Sequence, residues 1–82
     1  MKKALILITT DLGSEPELQS EFTKIDGVVG VWQVFGHYDM LVEIETESDE
    51  KLKDIVLSSI RSFKGVRSTA TLSSVWLEKS VT

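Results

Sequence analysis

The sequence predicts one α+β domain with the element order β-α-β-β-α-β, and three observations lead there. Two segments carry apolar residues at helical spacing: Leu18, Phe22 and Ile25 in the first, and Leu52, Ile55, Val56, Ile60 and Phe63 in the second. Four short segments rich in aliphatic and β-branched residues flank them. Each helical segment is followed by a Gly-Val pair, Gly27-Val28 and Gly65-Val66, so the two halves share one layout. The 82 residues leave room for a single domain, assigned here to 1–82. A chain this short buries only about 60% of its unfolded surface, and without cysteine it cannot be stapled by disulfides.

The first strand is expected over 2–10, with Leu5 and Leu7 on one face and Ala4, Ile6 and Ile8 on the other, which suits a central place in the sheet. The alternative, a secretory signal beginning Met1-Lys2-Lys3, is disfavoured because the apolar run is short and no small-residue cleavage pattern follows. Ser14, Pro16 and Glu17 read as a helix start, with Ser14 and Glu17 forming a capping box. Asp26-Gly27 ends that helix. Residues 28–35 form the second strand, with Val29, Val31 and Phe35 alternating with Val28, Trp32 and Val34. Residues 36–39 interrupt it as a hairpin connection, and 40–46 form the third strand, Met40, Val42 and Ile44 inward and Glu43 and Glu45 outward. Glu47, Ser48 and Asp49 place negative charge at the start of the second helix, and Arg61 and Lys64 lie near its end. The last strand is expected over 66–77, and 79–82 read as a short tail.

Two split β-α-β halves of this kind make a ferredoxin-like domain, with both helices on one face of a four-stranded sheet. The other face is then bare. Trp32 and Trp76 both fall on strands among apolar neighbours, so part of that face is expected to be hydrophobic and to meet a partner.

Composition excludes several functions. A net charge of −4 argues against a nucleic-acid surface, which needs clustered Lys and Arg. The five glycines make neither a phosphate loop nor a dinucleotide fingerprint. A single histidine and no carboxylate cluster of suitable spacing leave no metal site and no cofactor to expect. No serine sits in a nucleophile elbow, so the chain is not expected to be an enzyme. No apolar run approaches the ~20 residues of a membrane span, and cytoplasmic residence is the default.

The most informative stretch is Val34-Phe35-Gly36-His37-Tyr38-Asp39-Met40. A hairpin turn explains it simply: Gly36 supplies an unusual backbone angle, Asp39 a local hydrogen bond, Tyr38 edge packing. It also fits a small polar pocket, in which backbone N–H groups, the Tyr38 hydroxyl and the Asp39 carboxylate receive an α-amino acid. His37 reads most simply as an exposed turn residue. Thr69 and Thr71 share one face of the last strand, either for β-propensity or as hydroxyls lining a pocket beside the turn. Glu47, Asp49, Glu50, Lys51 and Lys53 read as a solvated helix face.

Gly36-x-Tyr38-Asp39 closing the second strand, Gly-Val before strands two and four, and Thr69-x-Thr71 in the last strand together resemble the effector-binding (RAM) domain of the Lrp/AsnC transcription regulators, over essentially the whole chain. The resemblance implies a dimeric α+β barrel, in which subunits pair sheet to sheet and dimers assemble into octamers or similar rings. It implies a small effector, typically an amino acid, bound where dimers meet, with Gly36, His37, Tyr38, Asp39, Thr69 and Thr71 as candidate ligand-binding residues. Full-length members carry an N-terminal helix-turn-helix; this sequence shows none, and so resembles the stand-alone form, acting on transcription or metabolism indirectly or by joining full-length relatives. Two other functions share the element order: a small monooxygenase of the dimeric α+β barrel type, and an ACT-like regulatory domain whose sheets associate side by side.

Overall fold

The computed structural model describes residues 2–73. Strand β1 (Lys2–Thr10) leads through a turn to helix α1 (Glu15–Thr23), then β2 (Val28–Gln33), β3 (Met40–Thr46), helix α2 (Asp49–Asp54) and β4 (Val66–Ser73). The sheet order is β2-β3-β1-β4, with every neighbouring pair antiparallel. Strand β1 is therefore central, as its two apolar faces require.

One sheet face carries Ala4, Ile6 and Ile8 of β1 and Met40, Val42 and Ile44 of β3, all buried beneath Leu18 and Phe22 of α1 and Leu52, Val56 and Ile60 of the second helical segment. Phe22 meets Phe63 edge to face at 5.5 Å between ring centroids. Truncating a side chain such as Phe22, which is fully buried, costs about 3–5 kcal/mol in cores of this density.

The opposite face is apolar in the middle. Across the sheet, Trp32 pairs with Leu41, Leu41 with Leu7 and Leu7 with Ala70; the next row holds Gly30, Glu43, Leu5 and Leu72. Trp32, Leu5 and Leu72 are exposed. The Trp32 ring lies over Gly30, where a side chain would collide with it.

Four expectations are corrected. Strand β2 stops at Gln33, two residues early, because Val34 turns its N–H to Asp39 O at 3.0 Å and Phe35 points out of the fold. A bulge between Val28 and Gly30 also breaks the simple alternation, so Val28 and Val31 pack on the core while Val29 is exposed.

The Ser14 capping box does not form. Ser14 already has helical backbone angles (φ −84°, ψ −12°), from which its hydroxyl makes no cap, whereas Ser48 is extended (φ −146°, ψ 159°) and accepts from Lys51 N–H at 3.2 Å. Ser14 instead occupies the space beside Gly65: a Cβ there would lie 2.9 Å from Ser14 Oγ.

The second helix is not uniformly α. After α2 the chain widens into a π segment (Ile55–Ser59) and tightens into a 3-10 turn (Ile60–Ser62). The buried residues Leu52, Val56 and Ile60 recur every four positions, a spacing that drifts around an α-helix and that a wider turn brings back. The end of the last strand, Trp76 with it, and the 79–82 tail lie outside the described residues.

Candidate functional site

The 36–39 turn is built from the end of β2 and the start of β3, and it is tied to the sheet's centre. Thr10 N–H donates to Asp39 Oδ2 at 2.8 Å, and Asp39 N–H donates to Ile8 O at 2.8 Å. Asp39 thus receives β1 as that strand leaves the β3 ladder at Met40. Its hydrogen bond is not local, as a hairpin turn alone would have it, but reaches 29 residues back along the chain. One carboxylate oxygen accepts from the backbone, and the other makes no hydrogen bond to another described residue. A charge-assisted bond of this kind contributes about 1.5–3 kcal/mol.

Gly36 has φ +124°, a region that side chains rarely enter, yet a Cβ there would meet nothing within 4 Å. The residue is glycine for its backbone, not for want of space. His37 is exposed and Tyr38 half-buried. Phe35 beside them is 98% exposed. At the foot of the turn, Thr10 Oγ1 is buried without a partner among the described residues.

Thr69 and Thr71 lie elsewhere. In register they oppose Ile8 and Ile6, so they face the helical layer from β4. There they line a cleft of about 760 Å³ between β4, the α2–π segment and the first residues of β1. Lys2, Lys3, Lys53, Arg61 and Asp49 complete its polar wall, and Leu52, Val56 and Leu57 its apolar one. A smaller cavity of about 180 Å³ lies between Gly27, Thr46 and Ile55. Neither cavity includes a residue of the turn. The structure therefore brings Gly36, His37, Tyr38 and Asp39 together and Thr69 with Thr71, but it places the two groups in different surroundings within one chain.

Sequence reasoning did not single out Lys2, Arg61 or Leu57 as site residues, and it read Asp49 and Lys53 as solvated surface. These residues come from separate stretches of chain, and only the packing of the second helical segment beside β4 assembles them.

Comparison with known proteins gives this geometry a lineage. Residues 3–79 match the family model described as the Lrp/AsnC ligand binding domain. The chain belongs to that family. It is 34% identical over 79 residues to the HTH-type transcriptional regulator FL11 of Pyrococcus furiosus, a match covering 96% of this chain and 52% of that protein. The chain thus spans about half the length of the curated regulators it matches. Among solved structures, TTHA0845 from Thermus thermophilus superposes with a TM-score of 0.90 at 28% identity, covering 95% of this chain and 98% of that one. The L-Met complex of the Neisseria meningitidis transcriptional regulator NMB0573 shares the fold, with a TM-score of 0.83 at 16% identity over 99% of this chain and 52% of that one. The Lrp/AsnC ligand-binding domain is accordingly a four-stranded antiparallel α+β unit here as in its neighbours. Among the described residues, no helix is long and apolar enough to cross a membrane.

Proposed function

We propose that this chain is an effector module that binds a free amino acid at the 36–39 turn, between subunits, and acts through its state of assembly. The observation that carries this reading is the contrast within the turn. Asp39 fixes it to β1 and β3, yet its residues line neither of the two cavities found among the described residues. A rigid, polar, open turn needs a second wall before it can enclose a ligand. A neighbouring subunit would supply that wall, and the exposed Phe35 beside the turn would be covered in the same contact.

The bare face of the sheet gives the first step of assembly. Trp32, Leu41, Leu7 and Leu5 form an apolar centre that a second copy, pairing face to face, would remove from water. In the L-Met complex the ligand is an amino acid, which supports that chemical class here. An effector domain of regulators would act on transcription or metabolism through the proteins it assembles with, including full-length relatives, in the cytoplasm and without contacting DNA itself.

A thermal-shift screen of free amino acids tests the proposal. An effector that binds only the folded assembly stabilises it by roughly 2.7 kcal/mol at about one hundred times its dissociation constant. In Asp39→Asn the remaining amide oxygen still accepts from Thr10 N–H, so the fold should persist while the shift is lost. Unchanged affinity in that variant would reduce the turn to a turn.

A further inference from the structure

The cleft between β4 and the second helical segment has a charge opposite to that of the chain. The sequence carries 13 acidic and 9 basic residues. Of these, four basic residues and one acidic residue line the cleft, a local formal charge of 4 − 1 = +3. Lys2, Lys53 and Arg61 make no ion pair among the described residues, where the salt bridges join Lys24 to Glu21 and Arg67 to Asp11. Cations gathered on one concave wall focus a positive potential into it.

The neutral part of the lining is equally specific. The hydroxyls of Thr69 and Thr71 form no hydrogen bond to another described side chain or backbone group and can serve a ligand. Leu52, Val56 and Leu57 supply an aliphatic wall suited to a short carbon chain. Leu57 lies in the π segment, a local widening frequently found at functional sites. Asp49 is the one carboxylate among the described lining residues, an acceptor for an ammonium group.

From these features we infer that the cleft selects a dicarboxylic amino acid, L-glutamate or L-aspartate, over its neutral counterparts. Lys2, Lys53 and Arg61 receive the carboxylates, Asp49 the ammonium, and the leucine and valine side chains the methylenes. The cleft is a second site, apart from the 36–39 turn; the inference takes from the reading above only that the ligand is an amino acid, and adds its class: a second negative charge.

Calorimetric titration of the intact chain with glutamate, aspartate, glutamine, asparagine and inorganic phosphate tests it. Glutamate or aspartate should bind at least about tenfold more tightly than its amide, as expected for one well-placed charged contact. Arg61→Gln and Lys53→Gln should each weaken that binding about tenfold or less, and together by more, at an unchanged melting temperature, since both side chains are exposed. If glutamine or another neutral amino acid binds as well as glutamate, the acidic class is wrong while the amino-acid reading stands. If no amino acid binds, both fall. If phosphate displaces glutamate at equal concentration, or both variants bind glutamate as the parent does, the cleft is only a basic surface.

Discussion

The turn at 36–39 and the cleft beside β4 are both candidate sites, and they are built in opposite ways. The turn comes from adjacent residues and is clamped into the sheet by one long-range hydrogen bond, Thr10 N–H to Asp39 Oδ2. The cleft comes from the start of β1, the second helical segment and β4, and its Lys2, Lys53 and Arg61 make no ion pair among the described residues. Mutation should therefore tell the two apart. Changes that break the turn's clamp act on stability and binding together, whereas changes in the cleft act on binding alone.

The largest effect is expected from Asp39→Ala, which strands the Thr10 N–H beside a half-buried site and should cost about 1.5–3 kcal/mol in denaturant unfolding. A loss below about 0.5 kcal/mol would show that the clamp is not structural, and the contrast would collapse. Gly36→Ala comes next. At φ +124° a Cβ is strained even in open space, for a cost of about 1–2 kcal/mol, with binding impaired in proportion if the turn shifts. Thr10→Val should be nearly neutral or slightly stabilising, because it removes a buried hydroxyl that has no partner among the described residues and keeps the shape. A loss of more than about 1 kcal/mol in that variant would mean that the hydroxyl is satisfied in the assembled protein.

These expectations also show what could be read from the sequence. The inward set Ala4, Ile6, Ile8, Met40, Val42 and Ile44 was legible because strands alternate and helices repeat, and both signals lie within a few residues of chain. The turn was legible for the same reason, since Gly-x-Tyr-Asp is contiguous. The role of Asp39 was not, because its partner lies 29 residues away and depends on the β1–β3 register. Ser14 misled because capping depends on backbone angles as well as residue type, and an extended Ser48 caps where a helical Ser14 does not. The π segment and the basic cleft were hidden because each is a consequence of packing: Lys2, Lys53 and Arg61 are unremarkable until the topology places them on one wall.

The turn site rests on one claim, that the chain functions as an assembly closed first through the bare sheet face. Light scattering at micromolar concentration, on the parent and on Leu41→Lys, tests it most directly. Leu41 lies between Trp32 and Leu7 on that face, so a lysine there would put a charge at the apolar centre. The parent should scatter as a dimer of the 9.2 kDa chain or a multiple of one, and the variant should dissociate while remaining folded. A parent that runs as a 9.2 kDa monomer, or a variant with unchanged mass, would contradict the account.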